Sequence, residues 1–249
     1  MSTREQEMRE TWEASFEEQI ERGAYNTAPV EALVRSVSYY LRDRYSADAL
    51  RDLHFAELGC GAGPNLVWLA EKGIRVSGVD ISPTALGLAR ESLARSGHSE
   101  RVGQLLEGSV TDVALPDASL DGALESCVFQ HLTRADREAA FREVDRLIRP
   151  GGVFVGHMLE QGHTVFQQHD DEQLDDDPGT LQLDEGGSRF YLTNIGLSHF
   201  FTSEEVRSLL PGWSLVEPCL SQYELPPSEA RKRGYERYLQ SMLVVYAIK

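Results

Sequence analysis

A glycine-rich turn is the first stretch of the chain whose residue types and spacing could do chemistry. It contains Gly59, Gly61 and Gly63, with Glu57 just before it, and it separates an apolar run from a helix-like run. Glycines let the backbone approach a ligand closely, and the N-terminus of a following helix offers unpaired N–H groups. Asp80 ends the next apolar run, close to the spacing of about 20 residues expected for an acid that binds ribose hydroxyls. This arrangement predicts a nucleotide site rather than a plain structural turn.

Two classes of cofactor use a strand, a glycine turn and a helix in this way. The dinucleotide fingerprint is G-x-G-x-x-G/A, because a pyrophosphate sits on the helix N-terminus, but the sixth position counted from Gly59 is Pro64. Glu57 would repel a pyrophosphate, and it suits a ligand with positive charge, such as an α-ammonium group and a sulfonium. An NAD-dependent oxidoreductase is the alternative, although neither Tyr39 nor Tyr40 is followed by lysine three or four residues on.

Four motifs, in order and in register, resemble those of the class I S-adenosylmethionine-dependent methyltransferases. They are ELGCGAG, GVDIS, LPDASLDGALESCVFQHL and VDRLIRPGGVFV, and they span about residues 55–155. The resemblance implies S-adenosyl-L-methionine as the cofactor. It also implies transfer of the methyl group, by in-line displacement, to an oxygen or nitrogen of a small-molecule acceptor. A methyltransferase-like binding or regulatory module without catalysis is the alternative outside the enzymes.

The resemblance also assigns residues to the cofactor. It implies that Asp80 binds the ribose hydroxyls, that Ile81 lies against the adenine and that the backbone of Glu125 faces the methionine ammonium. The glycine turn would lie against the methionine part of the cofactor, and Glu57 would order that turn. The full set of expected cofactor-binding residues is Glu57, Gly59, Cys60, Gly61, Asp80, Ile81, Ser109, Val110 and Glu125.

One position departs from the family's pattern. After the third strand the family often has Gly-Asp, whose carboxylate takes the adenine amino group, whereas this chain has Gly108 and Ser109. The Ser109 hydroxyl can still accept that hydrogen bond, and Val110 can donate its N–H to the ring, with Asp112 as an alternative carboxylate. Exchanging a charged for a neutral hydrogen bond costs about 1 kcal/mol of binding free energy.

Candidates for the chemistry follow the fourth and fifth predicted strands, at the sheet edge where open α/β folds bind ligands. They are His131, His157 and Glu160. Each could act as a base or contact the acceptor, and the alternative for each is a buried, hydrogen-bonded side chain without a catalytic role. A base is needed only if the acceptor must lose a proton, and no aspartate cluster suggests a metal, so the predicted reaction is metal-independent. The candidate substrate-binding residues are Phe16 and Tyr25 near the N-terminus and Tyr191 and Phe200 farther along the chain.

The elements that must position these residues can be predicted from apolar periodicity. Apolar residues at four-residue spacing predict a helix over 3–22, and a second helix follows over 29–45. From residue 53 to 159 short apolar runs alternate with amphipathic segments, which is typical of strands joined by helical crossovers in a parallel sheet. The predicted fold, completed by the resemblance, is α/β with a Rossmann-like, mostly parallel seven-stranded sheet. It has an antiparallel C-terminal strand, helices on both faces and an N-terminal helical lid.

A single domain over residues 1–249 accommodates these elements. Its expected parts are the lid (1–48), the cofactor-binding core (49–159), a substrate-side insertion (160–201) and a C-terminal helix with strands (202–249). The insertion is polar and irregular, and its acidic stretch HDDEQLDDDPG lacks the D-x-D-x-D-G spacing of a calcium loop. We therefore expect this stretch to be the solvated rim of a loop that helps to enclose a small ligand.

The composition excludes several classes of partner. The 249 residues carry a formal net charge of -16, which argues against binding a nucleic-acid backbone or an anionic membrane surface. Three widely spaced cysteines predict no disulfide framework, and a charged N-terminus without an apolar segment predicts no secretory signal, so the cytoplasm is the expected location. We expect a small-molecule acceptor as the partner, and the sequence is compatible with a homodimer.

Overall fold

The computed structural model describes residues 3–183, 196–216 and 219–249, with side chains from residue 6 onward. The α-helices of these ranges are α1 (Thr3–Glu21), α2 (Glu31–Arg44), α3 (Pro64–Glu71), α4 (Pro83–Arg95), α5 (Arg134–Leu147), α6 (Thr164–Gln168), α7 (Ser203–Leu209) and α8 (Pro227–Lys232). The strands are β1 (His54–Leu58), β2 (Arg75–Asp80), β3 (Val102–Glu107), β4 (Leu120–Ser126), β5 (Ile148–Leu159), β6 (Thr180–Leu183), β7 (Gly196–His199), β8 (Ser214–Leu215), β9 (Leu220–Glu224) and β10 (Leu239–Ile248). None of the helices in these ranges has the length and apolar composition that a membrane span needs.

Eight of the described strands form one mixed sheet. Its order is β3-β2-β1-β4-β5-β10, and β8 and β9 share the last position because both pair with β10. Strands β1 to β5 run parallel and β10 runs antiparallel to β5, which confirms the predicted Rossmann-like sheet, with eight strands in place of seven.

The strand order reverses at the centre of the sheet, between β1 and β4. The chain leaves β1 through α3 toward β2 on one side, and it leaves β4 through α5 toward β5 on the other side. Open α/β folds bind their ligands in the crevice at the carboxyl ends of two such strands. The glycine turn follows β1 directly, so the fold places it at this crevice.

Apolar side chains cover both faces of the sheet. On one face Phe129, Phe141 and Phe154 pack with ring centroids 5.3 to 6.1 Å apart. On the other face Tyr40 of α2 packs edge-on against Phe55 of β1, with 6.5 Å between the centroids. Burying one large apolar side chain fully is worth about 1.5–3 kcal/mol, so these contacts stabilise the packing of helices and turns on both faces of the sheet.

Helix α1 lies across this edge and is tied to it by polar contacts. The Glu13 carboxylate accepts hydrogen bonds from the Ser82 hydroxyl at 2.6 Å and from both the hydroxyl and the N–H of Thr84. Arg9 forms an ion pair of 2.7 Å with Glu107 at the end of β3. Ser82 and Thr84 follow β2, and Glu107 ends β3. These contacts therefore place α1 over the crevice.

The insertion after β5 is more regular than its polar sequence suggests. Its described residues include α6 and the antiparallel pair of β6 and β7. Asp175 and Asp176 of the acidic stretch are exposed, but Asp177 is buried against Arg137 of α5, with Nη2 and Oδ1 2.5 Å apart. The expectation of a solvated rim is therefore wrong for Asp177, because an arginine of a distant helix pairs with its charge.

Candidate active site

A cavity of about 660 Å³ opens at the carboxyl edge of the sheet, beneath α1. Its size lies within the range of about 300–1,000 Å³ that is usual for small-molecule sites. The cofactor residues expected from the sequence that line it are Glu57, Gly59, Cys60, Gly61, Asp80, Ile81, Ser109 and Val110. The structure therefore brings eight of these nine predicted residues to one wall.

The glycine turn has its shape because side chains would not fit on it. Gly59 has a φ of +80°, and a Cβ there would lie 2.2 Å from Cγ2 of Val128. Gly63 has a φ of +78°, and a Cβ there would lie 2.9 Å from the Cβ of Ala89 in α4. Helix α3 then begins at Pro64, whose fixed φ suits the first helical position. The absence of a side chain at Gly63 thus allows α3 and α4 to pack closely. Pro64 follows Gly63 as the first residue of α3.

Asp80 is held at the end of β2 by backbone donors. Gly61 donates its N–H to Oδ2 at 2.8 Å, and Ser82 donates its N–H to Oδ1 at 3.0 Å. Burial raises the pKa of this carboxyl, and the N–H groups of Ser82 and Gly61 act in the opposite direction. Because a carboxylate offers about four acceptor sites, Asp80 can still accept two ligand hydroxyls from the cavity.

Glu57 is a buried carboxyl that joins the glycine turn to the N-terminal segment. Its Oε1 accepts a hydrogen bond from the Asn65 amide at 2.6 Å, and the Asn65 Oδ1 accepts one from the Val30 N–H at 2.8 Å. Its Oε2 is buried and has no hydrogen-bond partner among the described residues. Burial raises the pKa of Glu57 to about 8, and the nearby carboxyls of Asp80 and Glu125 act in the same direction. A cationic group beside Oε2 would relieve this unfavourable burial.

Glu125 supports the site from behind. Its side chain does not line the cavity in the described structure, and its Oε1 accepts hydrogen bonds from the N–H groups of Val128 at 2.7 Å and Phe129 at 3.3 Å. Burial raises the pKa of Glu125 to about 7. Cys127, which lines the cavity, has a φ of +58°, an uncommon value for a residue with a Cβ. Glu125 therefore holds the strained turn that carries Cys127 and Val128 to the cavity wall.

Ser109 lies at the cavity wall, as expected for an adenine contact. Its hydroxyl accepts a hydrogen bond from the Thr111 N–H at 3.2 Å and lies 2.7 Å from the Thr111 hydroxyl. Asp112, the alternative carboxylate, is exposed and is absent from the described cavity wall. The local geometry therefore favours Ser109 over Asp112 for the adenine amino group.

His131 is engaged at both ring nitrogens. Its Nδ1 lies 2.9 Å from the carbonyl oxygen of Leu197 in β7, which can only accept, so Nδ1 carries the hydrogen. Its Nε2 lies 3.2 Å from the amide nitrogen of Gln130, whose Oε1 is fixed by the Leu159 N–H at 2.8 Å. Burial lowers the pKa of His131, and the lone pair of the neutral ring faces Gln130. The predicted role as a base does not fit this geometry, and the ring instead ties β7 to the turn after β4.

His157 lines the cavity with a ring that is free to meet an acceptor. Its Nδ1 lies 3.9 Å from Sγ of Cys127, and its Nε2 makes no hydrogen bond to the residues that the structure describes. Burial lowers the pKa of His157 to about 4, so the ring is neutral at pH 7. Among the three predicted catalytic residues, His157 has the position that the prediction requires.

Glu160 does not reach the described cavity wall. Its half-buried carboxylate accepts a hydrogen bond from the Ser241 hydroxyl at 2.6 Å, and its N–H donates to the Ser241 carbonyl oxygen at 3.2 Å. The predicted catalytic role does not fit this position, because the carboxylate is used to fasten the turn after β5 to β10.

The predicted substrate residues differ in where they lie. Phe16 lines the cavity, with its Cζ 3.4 Å from the point where a Cβ on Gly61 would be. Among the described residues, neither Tyr25 nor Phe200 belongs to the wall: Phe200 is fully buried and packs on His163 at 5.8 Å. Phe200 was expected to contact the substrate directly, but it supports a neighbouring ring instead. Tyr191 lies outside the described residues.

Three polar residues at the cavity escaped the sequence analysis. Asn65 bridges Glu57 to the N-terminal segment, Gln130 fixes the ring of His131, and His163 lines the cavity after β5. Asn65 and Gln130 act through partners that no spacing in the sequence points to. One feature of the sequence could have pointed to His163: it occupies the N-cap position of a short helix, before the apolar pair of that helix.

The central part of the chain matches a known family. Residues 56–156 match the family described as a methyltransferase domain. A malonyl-[acyl-carrier protein] O-methyltransferase of Serratia marcescens is 33% identical over 156 residues, which make up 61% of this chain and 56% of that protein. Residues 56–156 are therefore similar to a methyltransferase domain, in agreement with the resemblance of the sequence motifs to class I S-adenosylmethionine-dependent methyltransferases. The chain spans about half the length of the curated relatives it matches.

Two solved methyltransferase structures share the fold over most of the chain. An S-adenosylmethionine-dependent methyltransferase of Methanosarcina mazei is 20% identical, with a TM-score of 0.61, and the match covers 86% of this chain and 96% of that one. The 1,6-didemethyltoxoflavin-N1-methyltransferase of Burkholderia thailandensis, solved with 1,6-didemethyltoxoflavin and S-adenosylhomocysteine, is 16% identical. Its TM-score is 0.56, and the match covers 98% of this chain and 90% of that one. At these identities the likeness shows the fold alone.

The cavity fits S-adenosylmethionine, the cofactor that the resemblance implies and that the similar protein of Methanosarcina mazei depends on. The buried, unpartnered Oε2 of Glu57 suits a cationic group, and Asp80 has acceptor capacity left for the ribose. Gly59 and Gly61 have no side chains, so their backbone itself forms part of the cavity wall. These four residues and Ile81 would hold the cofactor.

Replacing Glu57 with glutamine is expected to remove part of the pH dependence of stability. The pKa of Glu57 is about 8 in the folded protein, against an ordinary value of 4.5. Between these values the folded state keeps a proton that the unfolded state has lost. The stabilisation is therefore complete below about pH 4.5 and declines as the pH rises toward 8. The decline is about 1 kcal/mol per pH unit, and E57Q, an uncharged amide, lacks it.

Urea unfolding of the wild type and E57Q at about pH 5.5 and about pH 7.5 measures this effect. Relative to the wild type, the free energy of unfolding of E57Q should increase by roughly 2 kcal/mol between the two pH values. Glu125 is present in both proteins, so the comparison removes its own titration and measures that of Glu57 together with the coupling between the two carboxyls. An equal difference at both pH values would show that the pKa of Glu57 is not raised in the folded protein.

Proposed function

We propose that the protein transfers a methyl group from S-adenosylmethionine to an oxygen or nitrogen of a small-molecule acceptor. The observation that carries this proposal is the continuity of one cavity. Its wall includes Glu57 and Asp80, which suit the cofactor. The same wall includes His157, near the end of β5, and His163, which follows β5. A cavity of about 660 Å³ has room for a ligand of nucleoside size and a second small molecule beside it.

The names of similar proteins support an oxygen or nitrogen acceptor. The relative of Serratia marcescens is a malonyl-[acyl-carrier protein] O-methyltransferase. The neighbour of Burkholderia thailandensis is an N1-methyltransferase whose structure contains a small heterocyclic compound. These two proteins transfer methyl to a heteroatom, whereas a third similar protein, of Caenorhabditis elegans, is a sterol 4-C-methyltransferase. The chemistry that all three share is methyl transfer, and the acceptor differs between them.

In this chemistry the cofactor supplies a methyl group already activated on a sulfonium, so the protein must mainly position the acceptor and exclude water. Helix α1 would act as the lid, because Trp12 and Phe16 line the cavity and Glu13 ties the helix to the start of α4. Where the acceptor is a hydroxyl, its proton must leave, and the neutral ring of His157 can take it. With a pKa of about 4, His157 is a weak base and suits acidic hydroxyls or unprotonated nitrogens.

The partners and location follow from the same features. An acceptor enclosed beneath α1 must be small, and the net charge of -16 disfavours a nucleic acid or an anionic membrane surface. Cys60, Cys127 and Cys219 are free thiols in the described structure, which supports a reducing cytoplasm. We infer the cytoplasm as the site of action, and an assembly of one or two copies is compatible with the enclosed site.

Calorimetry and a methyl-transfer assay test the proposed function. We expect S-adenosylhomocysteine to bind and NAD to give no heat. We also expect labelled methyl from S-adenosylmethionine to appear on phenols or ring nitrogens of an acceptor panel, with a rate reduced about 100-fold or more in H157A. Binding of NAD in place of S-adenosylhomocysteine would contradict the proposal. Binding of S-adenosylhomocysteine without transfer to any acceptor would support a binding module instead.

A further inference from the structure

His163 presents one fixed hydrogen-bond donor to the cavity. Its Nδ1 caps α6 by accepting the Val165 N–H at 3.1 Å, and an accepting ring nitrogen carries no hydrogen. Burial lowers the pKa of His163 to about 4, so the ring is neutral and its single N–H is on Nε2. This N–H makes no hydrogen bond to the residues that the structure describes.

The ring also has a fixed orientation. Phe200 packs against it with 5.8 Å between the centroids, and Tyr238 packs edge-on at 5.4 Å. Phe166 lies behind Phe200 at 5.1 Å. His163 is only 2% exposed and is part of the cavity wall, so its accessible surface faces the cavity. A donor held in this way can select a ligand atom by position.

The remaining wall around the methyl acceptor combines apolar and polar side chains, and it includes the cationic side chain of Arg233. Outside the cofactor residues, the described part of the wall contains no carboxylate. A cationic methyl acceptor would therefore find no negatively charged side chain in this part of the wall. The apolar and aromatic side chains of this part of the wall include Met8, Trp12, Leu159, Leu225, Tyr238 and Met242.

We propose that His163 selects the acceptor by donating its Nε2–H to a carbonyl oxygen of an uncharged or anionic, otherwise apolar hydroxy compound. The hydroxyl is the group to be methylated, so this inference rests on the proposed function. The apolar body of the compound packs on the wall described above, and its carbonyl oxygen meets the one fixed donor of His163. The cap at Val165 and the ring contacts fix the direction of this donor.

Two substitutions separate recognition from capping. In H163N the side-chain oxygen takes the place of Nδ1 and can still cap α6, since asparagine is a preferred N-cap, but the donor of the wild type is lost. In H163Q the amide nitrogen takes the place of Nε2 and keeps a donor, whereas the cap is lost. If His163 only caps α6, H163N should bind ligands as the wild type does. If His163 recognises the acceptor, H163Q should keep the wild-type preference and H163N should lose it.

The probes are 3-hydroxyacetophenone and 3-ethylphenol, which have closely similar shapes and differ in one carbonyl oxygen. Their dissociation constants are measured by calorimetry with S-adenosylhomocysteine at saturation. We expect the wild type to bind the acetophenone about 3- to 10-fold more tightly, H163N to bind both equally, and H163Q to keep a preference. Long-range ¹H–¹⁵N NMR of the wild type should show hydrogen on Nε2 and none on Nδ1 of His163.

Several outcomes would overturn the inference. They are equal binding of the two probes by the wild type, binding of neither probe, an unchanged preference in H163N, or hydrogen on Nδ1. Binding of S-adenosylhomocysteine is measured first and separates the two proposals. If it fails, the proposed function fails; if it succeeds and the probes are not discriminated, only the role of His163 fails.

Discussion

Replacing Asp80 with asparagine is expected to weaken S-adenosylhomocysteine binding by about 100-fold or more. Both carboxylate oxygens accept backbone N–H groups, from Gly61 at 2.8 Å and Ser82 at 3.0 Å. The amide of D80N must place its NH₂ group against one of these donors, which disturbs the glycine turn. It also replaces charge-assisted bonds to the ribose hydroxyls, each worth about 1.5–3 kcal/mol, with weaker ones. A loss of about 3 kcal/mol corresponds to this change in affinity.

The matched control is D52N, which removes the same charge from an exposed residue between α2 and β1. Calorimetric titration with S-adenosylhomocysteine should give the wild-type dissociation constant for D52N. If D80N also bound within about threefold of D52N, Asp80 would not hold the ribose, and the role assigned through the family would not apply to this chain.

That the expected cofactor residues lie together could be predicted from the sequence because their contacts are local. Gly59 and Gly61 lie in one turn, and Asp80 ends the adjacent strand, so the order of strand, turn and helix already brings them together. The glycines report on backbone conformation, and the carboxylate of Asp80 suits the hydroxyls of the expected ribose. The same locality explains why the alternation of β1 to β5 with their helices could be predicted.

The acceptor half could not be predicted because its roles depend on distant partners. His131 was a good candidate by its place after β4, but its lone pair and its N–H are used by Gln130 and Leu197. Glu160 was placed correctly after β5, yet Ser241 of β10 takes its carboxylate. A sequence shows that such a residue follows a strand, but it does not show which hydrogen-bond partner the rest of the fold supplies.

The same limit applies to the insertion. Arg137 occupies an amphipathic helix and Asp177 lies in an acidic stretch, so each seems to belong to a solvated surface when considered alone. In the structure the two guanidinium Nη atoms donate to the two carboxylate oxygens at 3.1 and 2.5 Å. Asp177 also accepts from the hydroxyl of Thr180, which contacts His199 at 2.8 Å. This pair therefore fastens β6 and β7 to α5, on the side where β7 supports His131.

Replacing Asp177 with asparagine is accordingly expected to lower the free energy of unfolding by about 3 kcal/mol. Arg137 is 2% exposed, and in D177N its buried guanidinium keeps the Leu132 carbonyl oxygen at 2.9 Å and a neutral amide oxygen as acceptors but loses its opposite charge. Removing one partner of a buried ion pair typically costs about 3–5 kcal/mol. Urea unfolding measures the change, with the exposed neighbour Asp176 as a control, since D176N should stay within about 0.5 kcal/mol of the wild type.

A second substitution decides whether the uncompensated charge causes the loss. If it does, R137M in the D177N background should restore at least about 1 kcal/mol of unfolding free energy, because replacing a buried pair with uncharged residues is often nearly neutral. If the double variant is less stable than D177N alone, the packing of the arginine stem matters more than its charge. If D177N and D176N unfold alike, Arg137 and Asp177 do not form a buried pair in solution, and another contact must hold β7 against His131.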